Sequence, residues 1–201
     1  MPLKTFVKIS NVSSLSDARY CAGMGVDILG FNIDPASPSR ISPEDFKEIT
    51  EWVAGVEFAG EFDSANADEI KAAVRDYPIN YIQVSDQSLV EKIGLLGIPI
   101  IFVAAVDERA HLSKLGEMLS YLDELATIVI LKTSNPELGD ELDKSISFYN
   151  GNIKLVKGYQ VTPSESIHKF PGLEMQATRE EKPGFKDYGE VMDVLEVLDA
   201  D

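Results

Sequence analysis

The sequence predicts an α/β fold, a closed (β/α)8 TIM barrel in which residues 1–201 form a single domain. Short segments rich in β-branched and aromatic residues alternate with helical patterns along the whole chain, which is typical of a parallel sheet covered by helices. Eight such strand–helix units can be counted, and eight strands suit a closed barrel. The chain, at 201 residues, is somewhat short for this fold, for which about 250 residues are usual.

The predicted strands are short apolar runs bounded by turn residues, and they cover residues 6–10, 27–32, 57–62, 81–84, 98–104, 127–131, 154–158 and 173–177. Between them, helical spacing of apolar residues predicts helices over residues 14–23, 43–52, 66–77, 88–96, 108–121, 141–149, 163–170 and 187–198. Ser42 and Thr162 are each followed by proline and an early acidic residue, which favours helix starts there. In the last helix one apolar stripe should face the sheet.

Composition limits the classes of partner. Eighteen Lys and Arg residues against 34 Asp and Glu residues give a net charge of −16, which repels nucleic acid and anionic membranes. A small phosphorylated ligand is still compatible with this charge, because backbone N–H groups at a helix start can hold a phosphate locally. The first residues lead into a strand without a long apolar stretch, so we expect no membrane segment or secretion signal, and a cytoplasmic protein.

The few cysteine and histidine residues argue against a metal centre. Cys21 is the single cysteine, and His111 and His168 are the only histidines, so no cluster of the usual nitrogen and sulfur ligands is expected. Cys21 lies in the first helical pattern, where a buried core thiol is the expected role. Both histidines fall in predicted outer helices, whereas catalytic residues of such barrels sit at strand ends.

Several segments, in the same order over essentially the whole chain, resemble the phosphoribosylanthranilate isomerase family. Val7-Lys8-Ile9-Ser10-Asn11 resembles the family's first strand, V-K-I-C-G, and Ser37-Pro38-Ser39-Arg40 resembles its S-P-R loop with one residue extra. Gly60-Glu61-Phe62 stands where the family has G-V-F, and Gln83-Val84-Ser85-Asp86 stands where it has Q-L-H-G. Residues 180–187 are similar to the family's E-x-x-P-G-x-K-D. Residues 27–31 resemble the family's second strand. The resemblance implies the same barrel fold.

The resemblance also implies a reaction, the Amadori rearrangement of N-(5'-phosphoribosyl)anthranilate in tryptophan biosynthesis, without a cofactor. A general acid protonates the ribose ring oxygen and a general base then removes the C2 proton. The family uses a cysteine and an aspartate, which are replaced here by Ser10 and Lys132. A serine hydroxyl is a poor base unless a neighbouring histidine or lysine activates it. An exposed lysine, with a pKa of about 10.4, transfers protons poorly at neutral pH.

The ligand-contacting positions follow from the same resemblance. Arg40 and Gln83 occupy substrate-binding positions, and Gly158, Thr178 and Arg179 occupy the phosphate-binding turns after the seventh and eighth strands. Two of the family's glycines are lost in those turns, where side chains would crowd an anion. Lys157 and Arg179 would add positive charge nearby. The glycine-rich run after the sixth strand is also missing.

Three functions remain open at this point. The chain could be a working isomerase that uses other residues, such as the strand-end acids Asp34, Asp63, Asp86 and Asp107, although acids at these positions are more often turn and N-cap residues. It could be a non-catalytic ligand-binding or regulatory barrel, which would explain all the replacements together. It could also be a lyase in which Lys132 forms a Schiff base. In each case the expected partner is a small molecule, possibly phosphorylated, and the protein is a monomer or homodimer. Glu61, a charge within an apolar strand, has no assigned role.

Overall fold

The computed structural model describes residues 3–164, 167, 169–177 and 189–199. Eight parallel strands close a barrel in chain order, and the last strand pairs with the first over five residues. This confirms the predicted fold class. The strands are β1 (Phe6–Ser10), β2 (Ile28–Asn32), β3 (Glu57–Glu61), β4 (Tyr81–Val84), β5 (Ile100–Ala105), β6 (Ile128–Lys132), β7 (Lys154–Lys157) and β8 (Gly172–Gln176). Each predicted strand agrees with these bounds to within two residues.

The helices follow the strands on the outside of the barrel. They are α1 (Leu15–Gly23), α2 (Pro43–Thr50), α3 (Ala67–Ala73), α4 (Gln87–Gly94), α5 (Arg109–Leu122), α6 (Gly139–Phe148) and α7 (Gly189–Asp199), with a short 3-10 helix at Pro136–Leu138. The prediction for 163–170 lies partly outside the described residues. The third helix ends at Ala73, well before the predicted end. After Ala73 the chain continues in turns, in which the Arg75 N–H donates to the Ala72 carbonyl and the Asp76 N–H donates to the Ala73 carbonyl.

Side-chain caps fix where several of the helices begin. The Ser42 hydroxyl accepts a hydrogen bond from the Asp45 amide, and Pro43 occupies the first turn of α2, as predicted. Asn66 and Glu69 form a reciprocal capping box at the start of α3. Asp86 accepts from the Ser88 amide at the start of α4. These caps therefore define the first residues of α2, α3 and α4.

The apolar core has two layers. A large layer lies between the sheet and the helices, and a small one lies inside the barrel, where it is formed by Ile28, Ala59, Ile101, Ile128, Ile130 and Val156. Side chains in a strand alternate between the two layers with a period of two. Inward-facing residues one step nearer the carboxyl ends of the strands are polar, and they include Lys8, Glu61 and Glu174. This polar layer is the floor of the candidate site.

Candidate active site

A cavity of about 270 Å³ opens at the carboxyl ends of the strands. Its walls come from the ends of β1, β3, β4, β5, β6 and β8, and they include Ser10, Gln83 and Lys132. Active sites of (β/α)8 barrels form at this face. The structure therefore brings three of the predicted site residues into one place, which we call the central cavity.

Beneath the central cavity, Lys8 joins Ser10 to Glu61. Lys8 is fully buried, and its Nζ atom lies 2.5 Å from Ser10 Oγ and 2.5 Å from Glu61 Oε1. Lys8 and Ser10 face the same side because they are two residues apart in β1. The space for this pair comes from Gly30, since a Cβ atom there would overlap Glu61 and lie 2.7 Å from Lys8 Nζ. The charge of Glu61, unassigned from the sequence, is thus the counter-ion of a buried lysine.

Asn11 extends the same contacts across the barrel. Its backbone N–H donates to Glu61 Oε2 over 3.0 Å, and its Nδ2 donates to Gln176 Oε1 over 2.5 Å. The residue has φ of 56°, in the left-handed region. Asparagine adopts this conformation more readily than most other residues, and the family motif has glycine here.

Lys132 lies at the other end of this set of contacts. Its Nζ donates to Glu174 Oε1 over 3.0 Å, and Gln176 Nε2 donates to the same oxygen over 2.9 Å. The Glu174 side chain is only 2% exposed, whereas that of Lys132 is 31% exposed. Ser10 and Lys132 are therefore connected by one continuous series of hydrogen bonds, which we call the barrel network. Its members are Ser10, Lys8, Glu61, Asn11, Gln176, Glu174 and Lys132.

Three of the four strand-end acids hold loops. Asp34 Oδ2 accepts from the backbone N–H groups of residues 63, 64 and 65. Burial raises the pKa of Asp34, but these hydrogen bonds outweigh it and the net pKa is lowered. Asp86 caps α4, and Asp107 accepts from the amide and hydroxyl of Ser134. These roles match the turn and N-cap interpretation.

Asp63 differs, because it lines the central cavity. Partial burial of its carboxyl raises the pKa, and the negative charges of Glu61 and Asp34 raise it further. The positive charge of Lys132 acts in the opposite direction. A carboxyl group whose pKa is moved towards neutrality is a candidate for proton transfer or for binding a cation.

Among the described residues the structure gives no group of three or more His, Cys, Asp and Glu side chains suited to a metal ion. Cys21 is buried in the core, in agreement with its predicted role. His111 lies on the exposed side of α5, and His168 lies outside the described residues. Among the helices that the structure describes, none has the length and apolar character needed to span a membrane.

Sequence comparison finds similarity to N-(5'-phosphoribosyl)anthranilate isomerases. No protein-family model matches the chain. N-(5'-phosphoribosyl)anthranilate isomerase from Pelodictyon phaeoclathratiforme is 36% identical over 84 residues, which are 41% of this chain and 39% of that protein. The isomerase from Thermotoga maritima is 27% identical over 134 residues, 66% of this chain and 63% of that protein. In sequence the chain is similar to the phosphoribosylanthranilate isomerase family. Its matched segment spans about two fifths of the length of the first of these relatives.

Solved structures of phosphoribosylanthranilate isomerases have the same fold as this chain. The crystal structure of phosphoribosylanthranilate isomerase from Thermotoga maritima superposes with a TM-score of 0.74 at 23% identity, covering 96% of this chain and 98% of that one. A second isomerase structure, in complex with reduced 1-(o-carboxyphenylamino)-1-deoxyribulose 5-phosphate, gives a TM-score of 0.72 at 22% identity, with 96% of this chain and 98% of that one covered. At these identities the likeness establishes the barrel fold alone.

The phosphate-binding positions of the isomerase family are only partly described here. Gly158 lines a second cavity of about 250 Å³, which shares Lys132 and Gln176 with the central cavity. A Cβ atom at Gly158 would lie 2.8 Å from Ile130 and 3.0 Å from Glu174 Oε2, so a side chain does not fit. Thr178 and Arg179, the other two predicted phosphate ligands, lie outside the described residues.

Lys157 corrects one expectation drawn from the isomerase motif. The sequence suggested that it adds positive charge near the phosphate, but β7 turns it outward towards α6. Its Nζ lies 2.5 Å from Asp143 Oδ1, and the Tyr159 hydroxyl donates to the same oxygen over 2.6 Å. Burial, and then the hydrogen bond to Asp143, raise the pKa of Tyr159. Lys157 is therefore a structural cation between the sheet and a helix.

Arg40 lies apart from the other predicted substrate residues. It is exposed in the loop after β2 and lines a separate surface depression with Asp45 and Glu48, near the start of α2. The structure therefore joins Gln83, but not Arg40, to Ser10 and Lys132.

Sequence reasoning missed the residues beneath the cavity, chiefly Lys8 and Glu174. The signal was present, because Lys8 and Glu174 are each the one charged residue of their strand and Glu61 is a charge at the end of a largely apolar strand. Charges of opposite sign at such positions indicate pairing inside the barrel, since a buried charge requires a partner.

Proposed function

We propose that this protein is a single barrel domain, residues 1–201, that binds a small molecule at the central cavity and does not catalyse the Amadori rearrangement of its family. The observation behind the proposal is the barrel network, in which Ser10 and Lys132 are both hydrogen-bonded to other side chains of the protein. Neither position then offers the base or the acid that the reaction requires.

Ser10 has a lysine neighbour, but the hydrogen bond runs in the wrong direction for activation. A general base must accept a proton from the hydroxyl, whereas a lysine ammonium has three donors and no acceptor. Lys8 forms a buried salt bridge of 2.5 Å with the Glu61 carboxylate, and its Nζ lies 2.5 Å from Ser10 Oγ. Lys8 therefore donates to Ser10, and the serine remains a neutral hydroxyl.

Lys132 is poorly placed for a Schiff base. That reaction requires a neutral amine, and deprotonation of Lys132 would remove the cationic partner of Glu174. The Glu174 side chain is almost inaccessible, and an unpaired carboxylate there is costly. The lyase hypothesis is therefore not favoured by these contacts.

An isomerase with relocated groups is the second candidate, and Asp63 is the observation that favours it. Asp63 and Lys132 line the same cavity, and the raised pKa of Asp63 brings a carboxyl group closer to the working range of a general base. In this alternative Asp63 removes the C2 proton and Lys132 protonates the ring oxygen.

The deciding experiment follows turnover of freshly prepared phosphoribosylanthranilate by its loss of fluorescence at high protein concentration. We expect no turnover above that of a Ser10→Ala/Lys132→Ala control, and no change in Asp63→Asn. Turnover that is abolished in the double variant would contradict the proposal. Turnover abolished in Asp63→Asn would establish the second candidate instead.

Binding is measured separately by titration calorimetry. The probe is reduced 1-(o-carboxyphenylamino)-1-deoxyribulose 5-phosphate, the compound bound in one of the solved isomerases. We propose that Gly158, Thr178 and Arg179 contact its phosphate and that Gln83 contacts its other end, whereas Arg40→Ala should leave the affinity unchanged. Heat of binding without turnover is the result expected.

The remaining properties are proposals of the same kind. We propose a cytoplasmic protein that acts without a metal or cofactor, as a monomer or homodimer. One structural neighbour, the isomerase from Thermotoga maritima, is described as a dimeric protein from which monomers were made. Light scattering on the purified chain measures its mass directly.

A further inference from the structure

The β3–β4 side of the central cavity contains one carboxylate without a cationic partner. Of the acids around the cavity, Glu61 is paired with Lys8 and Glu174 is paired with Lys132. Within the described part of the chain, the Asp63 carboxylate makes no ion pair, and the one hydrogen bond that it accepts is a long contact of 3.4 Å from Asn32 Nδ2. The cavity wall near Asp63 is therefore negative, and Asp34, which accepts hydrogen bonds from the adjoining backbone, adds to it.

Gln83 gives a second and independent observation. It lines the same cavity and is only 9% exposed. Its Oε1 atom is buried and has no hydrogen-bond partner among the described residues. A buried carbonyl oxygen without a donor is costly, by about 1–3 kcal/mol in typical proteins. Because Gln83 lines the cavity, a rotation of its side chain can present this acceptor to a ligand N–H or O–H group.

The two acceptors line the same cavity, on neighbouring strand ends. Glu61 and Gln83 are direct partners in the β3–β4 ladder, so both face the barrel interior. Asp63 follows Glu61 by two residues and continues the same side towards the rim. An acidic group and an amide oxygen at adjacent strand ends form a site for a hydrogen-bond donor with positive charge.

From this placement we infer that the central cavity binds a small amino-bearing polyol, such as an amino sugar, whose ammonium group lies between Asp63 and Gln83 Oε1. The inference rests on the proposed small-molecule function. A volume of about 270 Å³ suits a ligand of monosaccharide size, at the lower end of ligand pockets. An ammonium group fits better than a metal ion, because the described residues contain no group of three acidic, histidine or cysteine ligands.

The test compares two pairs of sugars that differ only in one amino group. D-Glucosamine is compared with D-glucose, and glucosamine 6-phosphate with glucose 6-phosphate, by ¹⁵N NMR titration of the whole chain. The side-chain amide signals of Gln83 and Asn11 report on the central cavity. We expect the amino sugar of each pair to bind about tenfold more tightly, which corresponds to one charged hydrogen bond.

Two variants test the residues themselves. Asp63→Asn should remove the amino-sugar preference while leaving binding of the neutral sugar unchanged. Asp86→Asn is the matched control, because it removes the same charge at the end of the next strand but keeps an N-cap residue. Gln83→Leu should weaken both sugars of a pair and leave the urea midpoint of the free protein unchanged or raised, since the wild-type oxygen is unsatisfied.

The outcomes separate the two proposals. Equal binding of amino and neutral sugars, a preference that survives Asp63→Asn, or no response of the Gln83 and Asn11 signals to any of the four sugars would overturn the amine site. After any of these results, the proposed function is still tested separately by calorimetric binding of the isomerase ligand. Turnover of phosphoribosylanthranilate would overturn the proposed function whatever the sugars do.

Discussion

Replacing Lys8 with methionine should leave Glu61 as a buried carboxylate without a counter-ion. The Lys8 side chain is 0% exposed and that of Glu61 is 4% exposed, so water cannot take over the lost contact. Glu61 would keep one donor, the backbone N–H of Asn11 at 3.0 Å. Methionine has nearly the length of lysine, so the change removes the charge without leaving a large cavity.

The expected loss is large for a single substitution. Breaking a buried ion pair by removing one partner costs about 3–5 kcal/mol. For a domain of this size each kcal/mol lowers the melting temperature by about 2–4 °C, so Lys8→Met should lower it by about 6–20 °C. The double variant Lys8→Met/Glu61→Leu removes both charges, and its stability should return to within about 1–2 kcal/mol of the wild type.

Urea unfolding followed by far-ultraviolet circular dichroism measures these differences. Lys47→Met is the matched control, because Lys47 pairs with Glu51 on the surface of α2, where both side chains are more than half exposed. It should cause no measurable loss. The reasoning is refuted if Lys8→Met costs less than about 1 kcal/mol, or if the double variant is as unstable as the single one.

Three further predictions concern the surroundings of the site. Gly30→Ala should destabilise the fold by about 1–3 kcal/mol in urea unfolding, because the added methyl group would displace the Lys8–Glu61 pair. Gly23→Ala is the control and should be neutral or stabilising, because no heavy atom lies within 4 Å of the added Cβ atom. The pKa of Asp34 is lowered in the folded protein, because the hydrogen bonds from Ser64, Ala36 and Asp63 outweigh burial. The stabilisation from Asp34 is therefore present above its unfolded pKa of about 3.9 and is lost as the pH falls through the folded pKa. Below about pH 4 the urea midpoint of Asp34→Asn should consequently vary less with pH than that of the wild type. Cys21 is buried, so a thiol reagent should modify the native protein only at its rate of opening and should react at once after unfolding in urea; rapid modification of the native protein would contradict this placement.

The fold was predictable because its signals are local. Each strand is a short β-branched run, and each cap depends on residues within three positions of the helix start, as Ser42 and Asp45 show. The end of α3 was less predictable. The apolar spacing continues to Tyr77, but that side chain leaves the helix and its hydroxyl donates to the Ile41 carbonyl of another loop. A contact between residues 36 positions apart is not visible in a periodic pattern.

The site was predictable in position but not in chemistry. Family motifs placed Ser10, Gln83 and Lys132 at strand ends, and the barrel brings these ends together. They could not indicate that Ser10 accepts from Lys8 or that Lys132 donates to Glu174, because these pairs depend on the register of distant strands. The direction of Lys157 was misread for a related reason. Its side is fixed by the alternation in β7, and Asp143 of α6 receives it.

The two replaced positions are linked by the charge of the barrel network. A cysteine at position 10 would lie beside the Lys8 ammonium, and a nearby cation favours the thiolate. An aspartate at position 132 would lie beside Glu174, which would then lack a cation. With Ser10 and Lys132, the network instead contains two carboxylates and two ammonium groups, and each buried charge is paired. Both replacements thus remove an anion from the polar layer, so restoring the family residue at one position should disturb the contacts of the other. Under our proposal that the chain does not perform the isomerase reaction, its paired interior charges occupy the strand ends that the reaction would use.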